Sequence, residues 1–366
     1  MEEDDGGTAY NDAMLDNQLQ ALIRDEVPRA IEQKRLTPVL LDLVYRRNWF
    51  NLWVPKDYGG LGYDLSGGCR LLEELAYADG GFGWTVTLCA GANMFAGYID
   101  PVVASLVFAD EKVCWGGSGK PSGRAERVGD GFVLNGTWKY ATGAPHLTHF
   151  TLNAWLYEEG MPVVDTDGEP VYRSFFVGRD QVLIHYDWDT FGLECTASHS
   201  FSLSDIYVPE NHAFDLQPDN RTHDDLLYRY PFMTFAECTL AVNYIGMFRR
   251  FLDLFERLLF LKSADPIWAK ERGKELFRLV DAKRTTFEQQ HRRLYSLMEK
   301  TWGAAAPEEA LLTEVAMLTR TLVRAIKMDT VELFPFAGIA GAQRDNELNI
   351  VFRHIFTASQ HALLNT

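Results

Sequence analysis

The chain has 366 residues, 47% of them hydrophobic and 23% charged, so it folds around a large core and is not disordered. A formal net charge of −16 argues against a nucleic-acid surface, which needs a basic face, and against docking on an anionic membrane. The five cysteines (Cys69, Cys89, Cys114, Cys195, Cys238) are scattered, with no Cys-x-x-Cys, and the start Met1-Glu2-Glu3-Asp4-Asp5 is acidic; both point to a cytoplasmic chain without a zinc framework or a leader peptide.

Length alone suggests two or three domains. Apolar residues spaced three and four apart predict an amphipathic helix over 11–36, with Pro28 inside it. Thr37-Pro38 restarts a helix to about Arg47, as cap and first position. A connector follows, Leu52-Trp53-Val54-Pro55 to Gly62, then a helix from Ser66 to Gly80-Gly81. Phe82 to Ile99 carries no charge and is about long enough for a membrane span. Its small residues (Gly83, Gly91, Gly97) and lack of basic flanks favour a buried helix instead. Asp100-Pro101 starts a short helix, so the first part is all helical.

From Val113 to about Pro209 the period changes from 3.6 to 2. Strands are predicted at 113–118, 123–128, 132–142, 147–156, 171–178, 181–187 and 199–208, with Glu158 to Glu169 as a polar loop. Many short strands without helices between them predict an antiparallel barrel or sandwich. Gly129-Asp130-Gly131 reads as a hairpin turn. From Asp224 the helical period returns, with helices predicted at 224–263, 266–302, 307–334 and 345–364, packed as a bundle. The expected class is α+β, with a helical domain at 1–112, a β domain at 113–215 and a helical bundle at 216–366.

The stretch Trp115 to Ala144 carries the most glycine and the most chemistry. Tyr140 and Thr142 lie two apart, so on one strand they would share a face. Pro121-Ser122-Gly123-Arg124-Ala125 and Gly136-Thr137-Trp138-Lys139-Tyr140-Ala141-Thr142-Gly143 resemble the middle-domain signature of the acyl-CoA dehydrogenase superfamily. Within it they look closer to the two-component, reduced-flavin-dependent monooxygenases. The Val54-Pro55 to Gly60 turn is similar to the superfamily as well. The resemblance implies a helical domain, a central β-barrel that binds flavin (FAD or FMN), and a C-terminal four-helix bundle. It also implies a small aromatic or related substrate for the branch, a separate flavin reductase, and a dimer or tetramer.

By the same resemblance, Thr142 hydrogen-bonds the flavin ring and Tyr140 packs beside it, with Gly117 and Ser118 offering backbone N–H groups. Gly192 to His199 is similar to a Gly-Leu-x-Gly-Thr-Gly-Ser turn, which carries Thr196 and Ser198 to the flavin or substrate. Cys195 and Ala197 stand where that turn has glycines. Ala358-Ser359-Gln360-His361-Ala362 looks like the hydroxylase branch's C-terminal segment, whose histidine is the base on the substrate hydroxyl, here His361. His354 is placed two turns earlier on the same helix face.

No metal is expected: His146 and His149 would point to opposite faces of an extended segment, with no third ligand spaced to help. The dehydrogenases' Arg-x-x-Phe-Gly and Tyr-Glu-Gly-Thr strings are missing, which leaves FMN or FAD open and removes the usual base. Glu237 is the one acid on offer as a relocated base. Arg249, Arg250, Arg292 and Arg293 are candidates for a phosphate or for salt bridges. Three functions are therefore in play: a flavin-dependent monooxygenase, an acyl-CoA dehydrogenase with a shifted base, and a non-catalytic binding protein.

Overall fold

The computed structural model describes residues 15–303 and 307–364. Helix α1 (Asn17–Gln33) is capped by Asp16, whose carboxylate accepts from Leu19 N at 2.7 Å. It runs through Pro28 and stops where Lys34 turns left-handed. Residues 11–14 of the expected helix lie outside the described residues. Helix α2 (Pro38–Arg46) has Thr37 as cap and proline in its first turn. Asp64 caps α3 (Leu65–Ala78), and Asp79 caps α4 (Gly80–Asn93). Helix α5 (Pro101–Val107) closes this group.

Helix α4 is the uncharged segment, and it is buried along nearly its whole length. At 14 residues it is shorter than the roughly 20 a membrane span needs. Among the described residues no helix is long and apolar enough to cross a membrane. Glycines make the burial possible. A Cβ on Gly83 would sit 2.5 Å from the Ala76 backbone, and one on Gly80 would sit 2.5 Å from Met247 Sδ.

The strands are β1 (Trp115–Ser118), β2 (Arg124–Val128), β3 (Gly131–Ala141), β4 (His149–Glu158), β5 (Met161–Pro162), β6 (Tyr172–Gly178), β7 (Leu183–His185), β8 (His199–Pro209) and β9 (Ala213–Phe214). They form one nine-stranded sheet, ordered β7-β8-β3-β2-β4-β6-β9, with β1 and β5 also on β4. The expected antiparallel barrel is corrected in two ways. Among the described residues this path of pairing does not return to its start. The sheet is also mixed, because β1 and β2 both run parallel to β4. The cause is local: β1 covers His149 to Leu152 and β2 covers Trp155 to Tyr157, so one stretch of chain follows one edge of β4. Side-chain alternation is the same in parallel and antiparallel strands, so the pattern could not separate them.

The C-terminal helices are α6 (Phe232–Lys262), α7 (Lys274–Thr301), α8 (Glu309–Leu333) and α9 (Glu347–Ala358). Buried Glu73 of α3 ties this layer to the first: it takes Arg249 of α6 at 2.5 Å, and His291 and the Tyr295 hydroxyl of α7 at 2.9 Å each. Its carboxyl is held below the usual range: burial opposes this, but His291 and Arg249 outweigh it. Arg250 pairs with Glu347 and Arg293 with Glu314, so these arginines are committed to salt bridges. The last helix ends at Ala358, earlier than the period predicts, so His361 lies beyond it. The Tyr244 hydroxyl donates to Ala358 O at 2.5 Å and His361 N to the same oxygen at 2.9 Å. That carbonyl is thereby withdrawn from a further helical turn.

One consequence for acid stability concerns His149 on β4, which packs between Trp115 and Phe176. Burial, and then the charge of His212, pull its imidazole down to about 4 from 6.5. The unfolded chain then binds a proton that the folded chain does not, so stability falls as pH drops through 6.5 towards 4. The loss is at most about 3 kcal/mol. Urea titrations across this range are expected to lose this slope in His149→Gln.

Candidate active site

Strand β3 does not carry Tyr140 and Thr142 on one face. A register shift against β8 falls between Trp138 and Ala141, and Tyr140 is left-handed, with φ of 69°. Tyr140 is 67% exposed and Thr142 only 5% exposed. The bulge breaks the alternation on which the expectation rested. Tyr140 faces Trp188 edge-on, with ring centroids 6.2 Å apart. Trp188 is held by its own indole N–H, which donates to Leu193 O at 3.1 Å.

Thr142, Thr196 and Ser198 do come together. Thr142 Oγ1 lies 2.9 Å from Ser198 Oγ, which lies 2.8 Å from Thr196 Oγ1. Thr196 donates its hydroxyl proton to Leu193 O at 2.9 Å. Each hydroxyl has one proton, so a single arrangement satisfies all three contacts. Ser198 donates to Thr196, Thr142 donates to Ser198, and Thr142 keeps its lone pairs free as an acceptor. Gly143 N donates to Thr196 O at 2.8 Å, locking the end of β3 onto this turn.

The two non-glycine residues of the turn have visible accommodations. Ala197 adopts φ of 45°, the conformation a glycine would take at lower cost. Cys195 packs onto Gly81, where a Cβ would approach Cys195 Sγ to 2.5 Å. Gly117 and Ser118 pair with Thr151 and Leu152 of β4. A Cβ on Gly117 would lie 1.8 Å from Thr151 O, so this glycine serves strand approach. Gly116 is the β1 residue against Thr142, 2.9 Å from its carbonyl by the same measure.

Helix α9 fixes the turn from below through a buried ionic cluster that sequence reading missed. Arg353 donates to Glu194 and to Phe191 O, the latter at 2.8 Å. His354 is fully buried and does not face His361. Its Nδ1 accepts from Leu193 N at 2.9 Å, and its Nε2 lies 3.3 Å from Asp79 Oδ2. Asp79 also caps α4 through Phe82 N at 2.8 Å. Its carboxyl sits below the usual range: burial opposes this, and the His354 charge and hydrogen bond overcome it.

His361 lies past the end of α9. Its ring meets Trp84 of α4 edge-on at 5.7 Å, and Trp84 in turn meets Tyr244 at 6.1 Å. Nδ1 accepts from Leu363 N at 3.3 Å. The protein around the ring holds its imidazole below the usual value by desolvation, although the residue keeps an exposed edge. Cys89, on the same helix, reaches Thr142 O at 3.8 Å. His361 and the Thr142 carbonyl thus contact α4 at Trp84 and Cys89, five residues or about 7.5 Å apart along its axis. Leu88 and Gly91 are the half-exposed residues of this helix.

Glu237 is not available as a base, since Arg320 of α8 pairs with it at 2.7 Å. His146 and His149 do not converge either. His149 Nδ1 is 3.1 Å from Thr148 Oγ1, whereas His146 meets Cys89 and Cys114.

Residues 11–100 match the family model described as "Acyl-CoA dehydrogenase, N-terminal domain". The chain is 28% identical over 221 residues to an indole-3-acetate monooxygenase of Pseudomonas putida, covering 60% of this chain and 55% of that protein. It is 26% identical over 244 residues to a flavin-dependent monooxygenase, oxygenase subunit HsaA, of Mycobacterium tuberculosis, covering 64% and 60%. The chain thus spans little more than half the length of these curated relatives. In structure it is similar to XiaF from Streptomyces sp. in complex with FADH2 and glycerol, with a TM-score of 0.82 at 21% identity over 95% of this chain and 89% of that one. It is also similar to the dibenzothiophene monooxygenase TdsC from Paenibacillus sp. A11-2, at 0.72 and 18%, over 96% and 93%. The fold is acyl-CoA dehydrogenase-like, with helices, a mixed sheet and helices in that order. The relatives that the chain resembles are flavin-dependent monooxygenases.

Proposed function

We propose that this chain is the oxygenase component of a two-component monooxygenase, which takes reduced flavin from a separate reductase and hydroxylates a small phenolic or related aromatic substrate. The observation that carries the reading is the direction of the hydroxyl relay. Thr142 keeps a free lone pair, which suits a ring N–H. A reduced flavin carries that N–H at N5, and an oxidised flavin does not. The relay therefore fits the reduced ring, as FMN or FAD.

At the end of β3, exposed Tyr140 and half-buried Trp188 form an aromatic pair against which a ring could rest. Ser198 and Thr196 hold the Thr142 hydroxyl in one orientation. Gly117 and Ser118 support the reading less directly: both pair with β4, and Gly117 permits its close approach. When bound, the reduced flavin activates molecular oxygen and supplies one atom to the substrate. His361 takes the substrate's hydroxyl proton at Nδ1, giving up its long contact with Leu363. Its lowered proton affinity keeps the imidazole neutral and receptive at pH 7.

The dehydrogenase reading needs a carboxylate to remove an α-proton, and Glu237 is bound to Arg320. We further place the flavin in the 113–215 segment and expect a dimer or tetramer built through the C-terminal helices. The test is turnover of a panel of phenols with photoreduced FMN or FAD under labelled oxygen. One labelled oxygen atom per product is expected. Absence of product, together with oxidation of acyl thioesters using an artificial electron acceptor, would replace this reading by the dehydrogenase.

A further inference from the structure

Three distant segments meet at a buried trio beside the candidate site. Cys89 comes from α4, Cys114 immediately precedes β1, and His146 lies in the turn after β3. The two Sγ atoms and a ring nitrogen of His146 lie within 4.8 Å of one another. Both cysteines are fully buried. Nε2 of His146 is buried without a hydrogen-bond partner. Phe50 stacks on the ring at 5.6 Å and 14°, which fixes its orientation. A Cβ on Gly143 would lie 2.7 Å from Nε2 and 3.1 Å from Cys89 Sγ, so the glycine keeps this side of the trio open.

We propose that Cys89, Cys114 and His146 form a binding site for a thiophilic cation of the Zn2+ class. Two thiolates and one imidazole are the donors such an ion prefers, and two thiolate charges cancel a divalent ion inside the core. On binding, the thiol protons leave to solvent and the neutral imidazole supplies its lone pair. Zn–S and Zn–N bonds of about 2.3 and 2.0 Å put neighbouring ligand atoms roughly 3.5–3.8 Å apart, within the 4.8 Å that bounds the trio.

An acidic groove lies near the trio. A groove of about 630 Å³ is lined by Tyr45, Asp57, Asp110 and Glu111 among others. Tyr45 of this lining meets Phe50 edge-on at 5.4 Å, and Phe50 stacks on His146, so these two rings stand between groove and trio. Three carboxylates along this groove attract cations. The ion would staple α4, the start of β1 and the turn after Thr142, whose carbonyl accepts the Cys89 thiol. Its role is therefore structural support of the Thr142 wall, and the inference stands whether or not the flavin reading does.

The test is titration of chelator-stripped protein with Co2+, then Zn2+. One equivalent of Co2+ is expected to give thiolate charge-transfer absorption and the intense ligand-field bands of a four-coordinate ion. Zn2+ should displace it and raise Tm. Cys114→Ser and Cys89→Ser should each abolish the charge-transfer band, while Cys69→Ser, a buried cysteine elsewhere, keeps it. No saturable Co2+ uptake by the unmodified protein, or a band that survives both Cys114→Ser and Cys89→Ser, overturns the site. The first of these outcomes needs no variant to fold.

Discussion

His361→Ala is expected to lower hydroxylation of a phenolic substrate by about 10²- to 10⁴-fold, the usual worth of a positioned general base. The residue lies after α9 has ended and keeps an exposed edge against Trp84, so its removal leaves the core intact. Folding, read by circular dichroism, should be unchanged. The pH profile carries the finer test. Desolvation sets the imidazole below its ordinary value of 6.5, so the neutral form dominates at and above neutral pH. Activity should fall on the acid side, with an apparent midpoint below 6.5, and that limb should vanish in His361→Ala. Full activity in the variant would remove His361 from the chemistry.

Arg353→Met is expected to cost about 3–5 kcal/mol of stability, because it strands a buried carboxylate. Arg353 and Glu194 keep only 10% and 11% of their side chains exposed. Glu194 Oε2 already lacks a hydrogen-bond partner, so the arginine is its main compensation. The same guanidinium holds Phe191 O and Asn349 Oδ1, and thereby seats the turn under Thr196 and Ser198. Adding Glu194→Gln should recover part of the loss, since the stranded charge is then gone. Denaturant unfolding of the single and double variants measures this coupling. A single variant as stable as the parent would mean that the cluster contributes nothing.

Much of the architecture was legible because helical and strand periods are local properties. The change from one to the other near Val113, and back after Asp224, marks real transitions in the fold. Caps at Thr37 and Asp100 were readable because short-range hydrogen bonds set them, whereas Asp16 and Asp64 were passed over, the reading having placed one inside a helix and started the other helix at Ser66. Strand direction was not, since β1 and β2 alternate alike whether they run with or against β4. Tyr140 misled the reading because a period-2 argument assumes an unbroken ladder, and the bulge before Ala141 sends the ring outward. His361 was placed on a helix that Tyr244, far away in sequence, helps to end.

The candidate site divides the same way. Thr142, Thr196 and Ser198 could be picked out together only because two separate motifs resemble one family. Trp188 has no such motif and is found only from its approach to Tyr140. Cys89, Cys114 and His146 are 25 and 32 residues apart in turn, and no ligand spacing signals their meeting.

The central claim is that the Thr142 end of β3 is built for a reduced flavin ring. Anaerobic titration with FMN and FAD, each reduced and oxidised, tests it most directly. Tight binding of one reduced flavin, at least tenfold tighter than its oxidised form and with that preference lost in Thr142→Val, is the outcome expected. Equal binding of both redox forms, or none of either, would contradict it.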